Sequence, residues 1–244
     1  MGHFVLIMRE VTKKFIPRHL GIIMDGNRRW AHARGLPALQ GHAQGYQKVK
    51  QVCQWCLDRG IKYLTVWAFS TENWKRSKRE VSYLMRMMEM ALTRDIREFH
   101  QKGVKLQVIG SRKGLSRSLI KAINQAEDLT RSNIKGVFNV AFNYGGQSEI
   151  IDGVKQMLKD RVDPKKVDNK LFFSYLYTQG LPDLDFIIRT SGELRLSGFL
   201  LWLSTYAELY FSKLYWPAFS EKELDNALAE FAQRERRFGG SSYV

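Results

Sequence analysis

The residues of this chain that could do chemistry fall into short clusters rich in arginine, carboxylate and amide. Asp25-Gly26-Asn27-Arg28-Arg29 is the first. A strand running through a glycine turn into a helix start presents free backbone N–H groups and a positive helix end, which favours phosphate. Arg28, Arg29 and Arg34 add guanidinium forks that match phosphate oxygens. Asp25 would repel a bare anion, so its carboxylate makes sense as a ligand for a divalent cation that the phosphate shares. Taken alone, a capped helix with a solvated basic face explains these residues equally well. A second cluster places Arg189 and Arg195 around Thr190-Ser191-Gly192-Glu193-Leu194, with Ser197 just beyond. It reads as a second anion clamp, and Glu208 offers another hard oxygen for a metal. Two clamps point to two phosphorylated substrates or to one nucleotide. The nucleotide is poorly served, because neither GxxxxGK[ST] nor GxGxxG occurs. His19, His32, His42 and His100 show no metal-ligand spacing. His42 alone sits in a polar, glycine-bounded segment, Gln40 to Gly45.

Strands and helices must hold these clusters. Leu20 to Met24 reads as a buried strand, Tyr63 to Phe69 as a β-branched and aromatic one, and Lys105–Ile109, Val137–Phe142, Leu184–Ile188 and Glu208–Phe211 as four more. Helices are expected over Asn27–Arg34, Gly45–Arg59, Val81–His100, Leu115–Thr130, from Gly146 to Lys159, Asn169–Tyr177 and Glu221–Arg234. Alternation of strand and helix means a mainly parallel sheet covered on both faces. With no linker, repeat or composition shift, the 244 residues read as one α/β domain. Ligands of such sheets lie beyond the carboxyl ends of the strands. Asp25–Arg29, Ser70–Asn73, Asn143–Gly146 and Arg189–Gly192 all fall there, which points to one shared site.

Composition bounds the function. Lys and Arg number 39 against 24 Asp and Glu, a formal charge of +15, while apolar residues make up 44%. The mixture is globular, and the charge asks for an anionic partner: nucleic acid, a membrane surface or a phosphorylated substrate. The only cysteines, Cys53 and Cys56, lie midway through a helical pattern rather than at a helix start, so they read as packing rather than as a redox pair or zinc site. A reducing, cytoplasmic setting is the simplest for them. The opening MGHFVLIMRE has no basic leader and too short an apolar run for a signal peptide, and no apolar stretch is long enough to span a bilayer. The helix at 81–100 carries Met85, Met87, Met88 and Met90. It reads first as a core-facing helix with adaptable filler; lining of a flexible apolar tunnel is the sharper alternative.

Together these segments resemble the cis-prenyltransferase family, to which undecaprenyl diphosphate synthases belong. The likeness runs from about Ile16 to Gly240. It is carried by Met24-Asp-Gly-Asn-Arg-Arg-Trp-Ala31, Gly41-His42, Ala68-Phe-Ser-Thr-Glu-Asn-Trp74, Asn143-Tyr-Gly-Gly146, Ile188-Arg-Thr-Ser-Gly-Glu193, Phe199-Leu-Leu-Trp202, Tyr206-Ala-Glu-Leu-Tyr-Phe211 and Arg234-Glu-Arg-Arg-Phe-Gly-Gly240. The DDxxD pair of the unrelated trans-prenyl synthases is absent. The resemblance implies a homodimeric, Mg²⁺-dependent enzyme that condenses isopentenyl diphosphate with an allylic diphosphate into a cis-polyprenyl product. Asp25 would hold Mg²⁺ and assist diphosphate departure. Gly26, Asn27, Arg28 and Arg29 would cradle the allylic diphosphate, with His42 nearby and Trp30 along the prenyl chain. Ser70, Thr71, Glu72, Asn73, Trp74 and Arg76 match the loop that orients substrates, Asn73 helping proton removal. Arg189, Arg195, Leu196 and Ser197 would bind isopentenyl diphosphate. Glu208 would be a metal ligand, from across the dimer in one arrangement. Gly239, in Arg237-Phe238-Gly239, belongs to a C-terminal tail (234–244) that completes a neighbouring site, and residues 1–15 form an N-terminal extension. The methionine helix becomes the tunnel wall on this reading.

The departures from the family pattern surround the clamps. Ala38 stands where an Arg is common, removing one diphosphate contact, and Arg28 stands where many bacterial members have Gly. Leu194, Gly198, Leu203 and Ala218 replace His, Asn, Gln and Asp of many bacterial members. They bear on substrate preference and product length, and they leave irregular, branched lavandulyl-type coupling as the alternative on the same fold. Nucleic acid is not an expected partner, since no recognised module appears. The lysine excess is a solvated face or a peripheral contact with anionic membrane at product release.

Overall fold

The computed structural model describes residues 16–235. Six strands form one sheet: β1 (His19–Ile23), β2 (Tyr63–Ser70), β3 (Val104–Ile109), β4 (Gly136–Tyr144), β5 (Phe186–Arg189) and β6 (Glu208–Phe211). Their order is β3-β4-β2-β1-β5-β6, and every pairing is parallel. The central strands are buried along nearly their whole length, as both-face coverage requires. Alternate residues feed two cores. Leu20, Ile22, Phe186 and Ile188 face one, while Ile23, Ile187 and Phe199 belong to the other. The α/β expectation holds.

The helices depart from expectation where sequence signals mislead. Helix α1 (Asn27–His32) ends two residues early. Helix α2 (Ala38–Asp58) begins seven residues before Gly45, directly after Pro37. Its glycines look like a loop in the sequence, yet a Cβ on Gly41 would lie 2.1 Å from the Asn27 carbonyl oxygen and one on Gly45 2.2 Å from Asn27 Oδ1. They are helical because α1 packs against them, and propensity gives way to close approach. The long helix at 81–100 is not continuous. Helix α3 (Lys78–Met90) starts at the Ser77 cap, passes into a π turn (Ala91–Asp95) and resumes as α4 (Ile96–Gln101). Tyr46 and Lys50 of α2 bind the π turn through Asp95 Oδ2, at 2.5 and 3.2 Å. Helices α5 (Arg117–Thr130), α6 (Gly146–Lys159), α7 (Asn169–Phe173) and α8 (Glu221–Ala232) complete the layers. Cys53 and Cys56 lie unbridged inside α2. Burial raises both thiols, Cys56 to about 12, which opposes thiolate chemistry there.

Candidate active site

β1 and β5 are neighbours in register, Ile23 opposite Arg189. Their carboxyl ends therefore deliver Asp25 and Arg189 to one place. Asp25 Oδ2 accepts from Arg189 NH2 at 2.9 Å, and Oδ1 from Arg29 NH2 at 3.1 Å. Thr190 Oγ1 donates to the Asp25 carbonyl at 2.7 Å, tying the two loops together. Burial pushes the Asp25 carboxyl up, but hydrogen bonds and charge from Arg189, then Arg29, outweigh it and hold it below the ordinary 3.8. It is an ionised, partly exposed carboxylate. The Arg189 NH1 group turns the other way, to Ser197 Oγ at 2.9 Å and the Arg195 carbonyl at 2.5 Å. Glu193 joins Arg29 (2.6 Å) to Arg195 (2.5 Å) across the loop.

An open pocket of about 690 Å³ borders this cluster at Asp25 and Arg29. Asp25, Gly26, Asn27, Arg28, Arg29, His42, Asn73 and Arg76 line it, with Trp67, Ala68 and Tyr215. Gly26 is required by its backbone: at φ +101° an added Cβ would meet the Tyr215 ring at 2.8 Å and Ser191 Oγ at 2.9 Å. Opposite the Asp25–Arg189 clamp stands a second wall. His42, 6% exposed, contacts Glu80 Oε1 through Nε2 at 3.0 Å, and Arg76 NH1 donates to the same oxygen at 3.1 Å. Burial pulls the His42 imidazole down against the hydrogen bond and charge of Glu80, with Arg76 and Arg28 adding to the fall, so the ring is neutral at pH 7. Asn73 reaches the wall while its Oδ1 accepts the Ser70 N–H at 3.1 Å, which fixes the turn.

Not every expected residue arrives at the pocket. Trp30 lies under the Arg34 guanidinium, 4.5 Å from the ring centroid, and Ser70, Thr71, Glu72, Trp74, Arg189, Arg195, Leu196 and Ser197 do not line the pocket, the last four meeting it through the Asp25 contact of Arg189. Trp74 instead donates to Asn143 Oδ1 at 2.7 Å, joining the β2 and β4 loops. Glu208 is placed elsewhere within one chain. It opens β6 opposite Phe186, three residues short of the Arg189 level, about 10 Å at ~3.3 Å per residue. There it pairs with Arg234 at 2.8 Å. Gly239 lies outside the described residues, as does most of the tail. Ala38 does face the pocket, so the departure from Arg removes a cation from this wall.

Two residues of the site escape sequence reasoning. Glu80 spells an ordinary helix start. Ser191 adopts φ +83° although it is not glycine, and its buried hydroxyl has no hydrogen-bond partner beside Gly26. The one signal was the glycine-like position between Thr190 and Gly192.

Met24 and Ala68 line both this pocket and a small, almost wholly apolar cavity of about 80 Å³ between sheet and helices. Met87 and Met88 of α3 line the cavity; Met90 is exposed instead. Phe99 and Phe138, stacked at 5.4 Å, form another part of its wall. An arginine-rich basin thus lies next to an apolar cavity on a parallel α/β sheet, the two sharing Met24 and Ala68 as wall.

A family model described as putative undecaprenyl diphosphate synthase matches residues 23–239. An isoprenyl transferase of Thermotoga maritima is 45% identical over 227 residues, covering 92% of this chain and 97% of that protein. A (2E,6E)-farnesyl-diphosphate-specific ditrans,polycis-undecaprenyl-diphosphate synthase of Legionella pneumophila is 43% identical over 228 residues, with 92% and 96% covered. Among solved structures, lavandulyl diphosphate synthase from Lavandula x intermedia, in complex with dimethylallyl diphosphate, matches with a TM-score of 0.87 and 36% identity over 94% of this chain and 99% of that one. The chain belongs to the undecaprenyl diphosphate synthase family of prenyltransferases.

Proposed function

We propose that this protein condenses isopentenyl diphosphate with an allylic prenyl diphosphate to extend a cis-polyprenyl diphosphate, with Mg²⁺ as cofactor. The observation that carries the reading is the meeting of the polar basin with the apolar cavity at Met24 and Ala68. Arg28 and Arg76 bind the allylic diphosphate, with His42 nearby, and its prenyl chain enters the cavity. That cavity widens into a tunnel as the chain grows. Arg189, Arg195 and Ser197 hold isopentenyl diphosphate on the other side. Asn73, fixed by its turn, sits where an amide can assist removal of the proton that leaves the condensing unit.

The donor set fits Mg²⁺. No group of three or more His, Cys, Asp or Glu forms a cage among the described residues. Mg²⁺ does not need one, since it keeps its waters and takes one or two carboxylates together with substrate phosphates. Asp25 is such a carboxylate, ionised and facing the basin. Asp25 would hold Mg²⁺ there, and the ion would supply charge to offset that on the leaving diphosphate. Arg29 and Arg28 add fixed positive charge where that diphosphate departs, and the arginines need no reorganisation as it does so.

A homodimer is part of the proposal. Ile151, Val154 and Leu158 expose an apolar stripe along α6 at i, i+3, i+7 spacing, 51%, 40% and 74% exposed. No helix among the described residues is long and apolar enough to cross a membrane. The basic excess supports peripheral contact with anionic lipid, and the two buried thiols a reducing compartment.

Purified protein with Mg²⁺, isopentenyl diphosphate and, in turn, dimethylallyl, geranyl, farnesyl and geranylgeranyl diphosphates tests the proposal. Linear products rising in steps of one isoprene unit are expected by mass, with cis bonds by NMR. No product from any pair sinks it. A branched dimer replaces it with irregular coupling, a reading disfavoured by the higher identity to isoprenyl transferases than to the lavandulyl enzyme.

A further inference from the structure

Glu80 is a charged side chain that burial ought to exclude: it is 8% exposed. A carboxylate is kept in such a place only when partners satisfy it. Its sequence setting suggests an ordinary task. Ser77-Lys-Arg-Glu80 has the spelling of a capping box, in which the glutamate side chain turns back to the N-cap backbone N–H. Half of that box forms, Ser77 Oγ accepting the Glu80 N–H at 3.3 Å. The other half does not. Glu80 Oε1 points instead to His42 Nε2 on α2 and to Arg76 NH1 ahead of α3, at 3.0 and 3.1 Å. Both partners line the basin, and Glu80 stands behind them.

We propose that Glu80 is a positioning residue, its carboxylate oxygen fixing the Arg76 guanidinium as a donor to the allylic diphosphate and holding the His42 ring beside it in the same wall. The inference rests on the reading of that basin as a diphosphate site. Arg76, His42 and Arg28 occupy one wall, and Glu80 is the carboxylate in contact with two of them. Without it the Arg76 guanidinium loses the partner that holds it inward, and its repulsion from Arg28 drives it towards water. His42 loses the contact that sets its ring. The Asp25–Arg189 clamp across the basin has no bond to Glu80 and keeps its own arrangement.

Glu80→Ala and Glu80→Gln test this by three measurements: the Kd for inorganic pyrophosphate, the KM for each substrate, and the melting temperature. Glu80→Ala is expected to raise the pyrophosphate Kd and the allylic KM about tenfold, the effect of losing one good charge-assisted contact, while the isopentenyl diphosphate KM stays within about twofold. Glu80→Gln keeps an acceptor oxygen and falls between. His42→Ala combined with Glu80→Ala costs less than the sum of the two, because they act as a unit. A Glu80→Ala protein with unchanged pyrophosphate affinity overturns the proposal. So does an equal rise in both KM values that tracks lost stability, the mark of a simple tie between α2 and α3. If Glu80→Ala does not fold, Glu80→Gln decides by the same criteria. Pyrophosphate binding needs no turnover, so loss of that binding in the variants of an enzyme inactive on prenyl substrates refutes the reaction and retains the role of Glu80; wild-type protein that binds no pyrophosphate refutes the role itself.

Discussion

The two walls of the basin are built on opposite principles. On the β1–β5 side, Arg189, Arg29 and Arg195 are each in contact with Asp25 or Glu193. That network is closed, and the Arg189 side chain is only 6% exposed. On the facing side Glu80 alone serves His42 and Arg76, and Arg28 forms no ion pair among the described residues. Each side carries one positive charge more than its carboxylates balance; on the first every arginine is paired within the cluster, and on the second Arg28 is not. On the proposed function this difference in pairing has a use, because a basin of fully paired arginines would not attract a diphosphate and one of wholly unpaired arginines would not release it.

The largest test of the contrast is Asp25→Asn. Turnover with Mg²⁺ is expected to fall by roughly 10³-fold, the scale of losing an electrostatic group at the reacting centre, with the circular dichroism spectrum retained. A rate within tenfold of wild type would remove Asp25 from the chemistry. Next, Arg189→Ala should cost about 3 kcal/mol of stability in urea unfolding, because it leaves half-buried Asp25 with Arg29 as its one cation and empties a buried position. Arg28→Ala should stay within about 0.5 kcal/mol while weakening pyrophosphate binding about tenfold. Equal stability losses would mean the walls do not differ.

Acid sharpens the same point. The Asp25 carboxyl lies below 3.8 when folded, so the unfolded chain takes up its proton first as pH falls. Its contribution is complete above the ordinary carboxylate range and is lost as pH drops through the folded value. The stability gap between wild type and Asp25→Asn should therefore be constant near neutrality and shrink below about pH 4. A gap that widened with acid would contradict the Arg189–Asp25 account. The smallest effect belongs to Ser191→Gly. Relief of φ +83° should stabilise the fold by about 1 kcal/mol, read as a higher melting temperature; a lower one would show that the Ser191 hydroxyl does more for the fold than its backbone costs.

Much of the fold and half of the basin were legible in the sequence, and the reason is periodicity. Buried strands such as Leu20–Ile23 and Phe186–Ile188 announce themselves as apolar runs, and the residues just after each run are polar because they lie beyond the sheet. The convergence of Asp25 with Arg189 needed only the rule that strand carboxyl ends share a crevice. The features that stayed hidden depend on contact between segments. Gly41 and Gly45 look like turn residues until Asn27 is seen against them. Glu80 looks like a helix cap until His42 is placed beside it. The distance of Glu208 from Asp25 is a matter of strand register, which motif spelling does not encode.

The π turn at Ala91–Asp95 carries one residue more than regular helix requires, so it behaves as a single-codon edit in the cavity wall. Deleting Thr93 would restore an uninterrupted helix with Ile96 and Phe99 still on the same face, because the turn absorbs the extra residue. The Phe99–Phe138 stack would survive, and the change in the apolar chamber would be confined to the stretch that carries Ala91 and Leu92.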